Sequence, residues 1–191
     1  RLKERAVTVV ELPGSLEGLR ILHLSDLNGA GLGRGQENIQ KALGDAEYDL
    51  VALTGDMVGR SGDTRPLLEL LALIPARVPV FMVAGDADPV PLLHTPHGDG
   101  EVKAAYIREL EARGLVYLEA PTRVEVNGQG LWVSPAELFM IDLKNARFAL
   151  SEQITALSAS PLRYVPEEGA QLRYAEHRLS VLDQVDAAFA A

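Results

Sequence analysis

The chain has 191 residues, a formal charge of −9 and no cysteine. The charge argues against a general nucleic-acid binder, which needs a basic stripe. The missing cysteines exclude disulfides, thiolate zinc sites, iron–sulfur clusters and cysteine nucleophiles. With 47% hydrophobic and 24% charged residues, the chain can bury a core, and residues 1–191 are expected to form a single domain. No run of about eighteen apolar residues occurs, so no membrane span is expected within the chain. There is no signal-peptide pattern. Residue 1 is Arg, not Met, so an upstream piece is expected. "RLKER" can follow a removed tag, a signal or a membrane anchor, which leaves a soluble domain that is cytoplasmic or tethered through that piece.

In chain order, "RILHLSD", "LVALTGD" and "VFMVAGD" share one form. Each is a short apolar run, rich in branched residues, that ends in a small residue and an aspartate. Near-continuous hydrophobicity predicts strands covered on both faces, as in a parallel sheet. The aspartates Asp26, Asp56 and Asp86 are thirty residues apart in each case, the size of a strand–helix–strand repeat. The spacers read as helices. "GQENIQKALGDA" spaces Ile39 and Leu43 four apart. "TRPLLELLALI" offers Thr64 as a cap. "EVKAAYIRELEARG" carries Ala105, Ile107 and Leu110 and ends at Gly114, a good residue beyond a helix C-terminus. "DADPVPLLHTPHGDG" reads as a long loop. After Gly114 come short strands, "LVYLE", "RVEVNG" and "LWVS", with a turn at Asn127-Gly128. "RYAEHRLSVLDQVDAAFA" closes the chain as a helix with Leu179, Leu182 and Val185 on one side. That helix can pack internally, on a protein partner or on a second copy. Trp132, Phe139 and Met140 are expected in the core.

In a parallel α/β sheet, ligands sit beyond the carboxyl ends of the strands. The repeat puts three aspartates there, on one edge. Gathered carboxylates repel one another unless something positive joins them, and a hard divalent cation does so. Gly55 and Gly85 permit sharp turns. "NGAGLGRG" is expected to leave amides free to face an anion, with Arg34 close by. The glycine spacing fits neither a dinucleotide-binding fingerprint nor a P-loop. Each aspartate is also a common turn or cap residue; the three in register argue for a site. His94 and His97, in the long loop, could lend nitrogen to a metal but read more simply as solvated. His23 reads as a core or interface residue. Ser25 and Ser134 lack a His-Asp partner set, so serine nucleophile chemistry is not expected.

"SDLN", "TGDMVG" and "AGDADP", in this order and spacing, resemble the motifs of the calcineurin-like metallophosphoesterases. The resemblance is close over residues 19–89, vaguer to 133 and not traceable beyond. It implies a layered sandwich, helices packed on a mostly parallel sheet, incomplete at the C-terminus. It implies a phosphoester hydrolase acting on a phosphorylated small molecule or a phosphodiester, in which two metals share a bridging aspartate and activate the attacking water. By the resemblance, Asp26 matches a first-metal ligand and Asp56 the bridging ligand. Asn28 stands where the family has a histidine ligand, and Asp86 where it has an asparagine ligand. Ala87 replaces the histidine that stabilises the leaving group. Asp88 matches the acidic residue that orients that histidine, with nothing here to orient. The family's later histidines are absent: His177 is the only one after position 97. The implied metal set is Asp26, Asn28, Asp56 and Asp86. Its oxygens suit Mn, Mg or Ca better than Zn, or hold no metal at all. The resemblance therefore opens two readings, a hydrolase with a depleted metal site and a silent family member that acts as a binding or assembly module.

Overall fold

The computed structural model describes residues 2–93 and 102–190. Four strands form a parallel sheet in the order β1 (Ile21–Leu24), β2 (Leu50–Thr54), β3 (Val80–Val83) and β4 (Leu115–Tyr117). Helices α1 (Glu37–Leu43), α2 (Arg65–Leu71) and α3 (Ala105–Glu111) lie between successive strands in the chain. The architecture is α/β, a parallel sheet flanked by helices. Strand register is continuous: Leu22 pairs with Val51, Val51 with Val80 and Val80 with Leu115.

The sheet order follows the chain order, so every crossover steps the same way. Right-handed crossovers then place α1, α2 and α3 on one face. The side chains agree. Leu22, Val51, Leu53, Val80, Met82 and Leu115 share one face of the register and are all buried. Leu67, Leu70, Ile107 and Leu110 of the helices are fully buried as well. Each such side chain stabilises the fold by about 1.5–3 kcal/mol. The opposite face is uneven. Leu50 is covered by Leu16 and Val126, whereas Ile21, His23 and Thr54 are exposed. His23 is therefore no core residue; its Nε2 hydrogen-bonds the Thr54 hydroxyl across the two strands.

Helix starts follow local chemistry, though not always the expected residue. Thr64 precedes α2 but does not cap it. The adjacent Asp63 accepts the Arg65 N–H at 3.0 Å, while the buried Thr64 hydroxyl donates to Glu109 at 2.8 Å. In α3, Ile107 and Leu110 are buried as expected, but Ala105 is exposed and Ala104, just before the helix, is buried in its place. Gly114 takes the left-handed conformation beyond α3. Strands β5 (Thr122–Val126) and β6 (Gln129–Val133) form a separate two-stranded sheet. Both turn residues between them, Asn127 and Gly128, have positive φ, as a tight hairpin of primed type requires.

The chain packs as two compact units. The first holds the parallel sheet. The second is built chiefly from the chain after Trp132 and contains α4 (Leu143–Ala159) and α5 (Pro166–Phe189). Asp142 caps α4 by accepting the Asn145 N–H at 3.1 Å. Pro166 opens α5, with Glu167 and Glu168 in its first turn where the helix dipole favours them. Arg147 of α4 pairs with Asp183 and Asp186 of α5 at 2.6 and 2.7 Å. Leu182 and Val185 are buried on α5 as expected. Trp132, Phe139 and Met140 are not core residues: they are 46%, 65% and 84% exposed. Phe139 lies instead against the Phe189 ring, with centroids 5.3 Å apart. Among the described residues, no helix is long and apolar enough to cross a membrane.

Candidate functional site

The three aspartates sit where the repeat puts them. Asp26 follows β1, Asp56 follows β2 and Asp86 follows β3, all at carboxyl ends of parallel neighbours. The loops after β1 and β2 run side by side. The Asp26 N–H donates to Gly55 O at 3.1 Å, Asn28 N–H to Asp56 O at 2.7 Å and Gly29 N–H to Met57 O at 3.0 Å. Holding this course bends the backbone hard. Asp26, Asn28 and Asp56 all have left-handed φ, at 60°, 52° and 56°. That conformation costs an L-residue about 1–2 kcal/mol, and Asn and Asp tolerate it best. Such strain is concentrated at functional sites.

The third loop clasps the second through two carboxylates. Asp56 Oδ1 accepts the Ala87 N–H at 2.8 Å. In return, Asp88 accepts backbone N–H groups of the second loop: Val58 at 2.7 Å and Gly59 at 3.0 Å on Oδ1, and Met57 at 3.3 Å on Oδ2. Oδ2 also takes the N–H of Gly85 at 3.0 Å. Asp88 therefore orients no side chain; it ties two loops together by main-chain amides, and charge-assisted bonds of this kind are the strong ones. The clasp is tight enough to demand glycine. A Cβ at Gly85 would lie 2.2 Å from Asp56 Oδ1, and one at Gly59, where φ is 70°, 2.8 Å from Asn28.

The glycine-rich segment after Asn28 is not the open anion cradle expected from its sequence. Gln36 is fully buried; its Oε1 accepts the Leu32 N–H, and its Nε2 donates to Ala30 O and Pro66 O, each at 2.9 Å. The amides of Asn28, Gly29, Ala30 and Leu32 are thus committed to the protein. Away from this edge, a polar cleft of about 350 Å³ lies beside Arg20, Tyr48, Asp49 and Arg77, before the amino ends of β1, β2 and β3. Burial raises the Tyr48 phenol against the opposing charge of Arg77.

Asp26, Asn28 and Asp86 are exposed, and Asp56 is half-buried. The Asp86 side chain takes part in none of the clasp bonds. Asn28 turns its Nδ2 to Asp26 O at 3.2 Å, which leaves its carbonyl oxygen as the donor atom for a ligand. Among the described residues, no group of three or more His, Asp or Glu side chains is arranged to hold a metal ion. His94 and His97 lie outside the described residues. What the loops offer is oxygen, from the carboxylates of Asp26, Asp56 and Asp86 and the amide of Asn28. Oxygen donors as a class suit hard cations.

A family model described as calcineurin-like phosphoesterase matches residues 19–153, more than half of the chain. The chain belongs to the calcineurin-like phosphoesterase family. The match spans the sheet and all three loops and runs on into α4, further than the motifs alone could be traced. Membership supports a phosphoesterase-type function and a divalent metal in general. No curated protein matches the chain. Two structural roles, those of Gln36 and Asp88, are not legible in the motifs. Gln36 carries no signal in a local window, being a polar residue in a glycine-rich turn. Asp88 stands in a motif position, but its amide partners lie about thirty residues away in sequence.

Proposed function

We propose that this calcineurin-like phosphoesterase is a phosphoester hydrolase with a depleted metal site. The oxygens of Asp26, Asn28, Asp56 and Asp86 would share a hard divalent cation. The observation that supports this reading is the left-handed backbone at Asp26, Asn28 and Asp56. Three costly non-glycine conformations at adjacent strand ends serve presentation of those side chains better than they serve folding. A bound cation would supply positive charge to phosphate oxygens and to an attacking water. The chain's own part is to hold Asp56 by one oxygen, Oδ1, on the Ala87 amide, leaving Oδ2 as its ligand atom. Ala87 can give no proton to a leaving oxygen, a loss of roughly two to four orders of magnitude in rate. Substrates whose leaving group departs without a proton, such as aryl phosphodiesters, therefore suffer least.

A second reading, a silent member that acts as a binding or assembly module, is favoured by Ala87 and by the absence of a three-carboxylate cluster among the described residues. Titration of the chelator-stripped protein with Mn and Mg, beside hydrolysis of an aryl phosphodiester in the same samples, separates the two. Saturable binding with turnover is expected, and Asp56→Ala should abolish both. Binding without turnover would establish the silent module. A titration unchanged by Asp56→Ala would remove the cation from these loops.

A further inference from the structure

We infer that Asp88 is the positioning residue of this site: it performs with a carboxylate the loop-ordering work otherwise left to a cation. The inference rests on the proposed cation site and extends it. Four backbone N–H groups converge on the Asp88 carboxylate, two on each oxygen: Val58 and Gly59 on Oδ1, Met57 and Gly85 on Oδ2. Three of them belong to the loop that carries Asp56. Successive amides facing one anion form a nest, and here the anion is supplied by the chain itself. The pairing is reciprocal, since Asp56 accepts the N–H of Ala87, next to Asp88. Each loop thus holds the other's carboxylate. Met57, Val58 and Gly59 are buried, so without Asp88 their amides would face neither water nor partner, an unfavourable state. The Asp56 backbone is left-handed at 56°. A residue so strained keeps its conformation only where its surroundings over-determine it, and Asp88 fastens the three residues that follow it. The chain can therefore present Asp56 before any cation arrives. Asp88 itself touches no substrate in this scheme; its effect passes through Asp56.

The test compares the wild-type chain with Asp88→Asn and Asp88→Ala, in the chelator-stripped protein and without metal first. The readout is amide hydrogen exchange at Ala87, the donor to Asp56. Asparagine keeps the size but loses an acceptor oxygen, turning N–H donors toward N–H donors. Exchange at Ala87 should rise at least tenfold in both variants, while Leu53 and Met82 in the strands stay protected. Formate added to Asp88→Ala should refill the nest and restore Ala87 protection. Affinity for Mn should fall at least tenfold in Asp88→Asn. Unchanged exchange at Ala87 would overturn the inference. So would a uniform rise across the strands with no response to formate, the signature of a merely structural residue. Should Asp88→Ala not fold, exchange in Asp88→Asn decides alone. If the wild-type chain takes up no Mn, the cation reading fails, and Ala87 exchange still decides whether Asp88 positions Asp56.

Discussion

Gly85 has room for a hydrogen and nothing larger. Its missing side chain is what lets Asp56 Oδ1 reach the Ala87 amide, since a Cβ would stand 2.2 Å from that oxygen. Gly85→Ala must push Asp56 away or part the two loops. The expected cost is about 1–3 kcal/mol, measured as a lower denaturation midpoint, together with weaker Mn binding. A variant with wild-type midpoint and affinity would show that the clasp relaxes freely. At this scale the sequence is half legible. "AGDADP" announces a sharp turn with acids. That Asp88 faces amides of residues 57–59 depends on the distance between two loops, which no local pattern encodes. Gln36 is similar: a polar residue with no exposure in a turn of glycines has meaning only beside Ala30, Leu32 and Pro66.

At the scale of elements, legibility follows the strength of the repeat. The three strands ending in aspartate are continuous apolar runs of fixed spacing, and the structure has them in that order. Helix α4 gives no clear sequence signal, because its stripe of Leu143, Leu150, Ile154 and Leu157 is only half-buried and diluted by Ser, Thr and Ala. Phe139 and Met140 read as core because size and apolarity usually mean burial, yet both stand on a short 3-10 turn that leaves them exposed. One ion pair between elements gives a pH dependence. Burial works to raise the Glu119 carboxyl, but the hydrogen bond and charge of His177 on α5 and the charge of Lys103 outweigh it and hold it below its ordinary value. A carboxylate lowered in the folded state stabilises above its unfolded pKa, and that contribution is lost as pH falls through the folded value. Glu119→Gln should therefore flatten the acid limb of the stability curve and leave the alkaline limb in place. Its size is about 1 kcal/mol, since His177 is partly exposed. Thermal midpoints from roughly pH 3 to pH 7 measure this; parallel curves would refute the assignment.

The whole molecule carries −9 formal charges and a sequence pI near 4.9. An anionic polymer meets a repulsive surface, so a labelled DNA duplex should show no saturable binding at physiological salt. Fluorescence polarisation checks this, and saturation that collapses with added salt would expose a basic patch that the total charge conceals. Anionic phosphoesters approach the same field, so under the proposed function a cation would offset that repulsion at the loops. The family was legible from three short motifs because they sit on the part of the chain that builds the sheet. The presentation of Asp26, Asp56 and Asp86 was not, because where a side chain points is set by backbone angles that no local pattern encodes.

Those angles carry one more consequence. An aspartate codon becomes a glycine codon by a single base change, and glycine relieves a left-handed backbone at little cost to the turn. Random mutation therefore offers Asp26 an easy path downhill in free energy, whereas Asp56 would forfeit its bond to the Ala87 amide. A lineage in which these loops had lost all use would be free to take it. That the chain keeps an exposed aspartate in this conformation at position 26 weighs for a use of these loops other than stability.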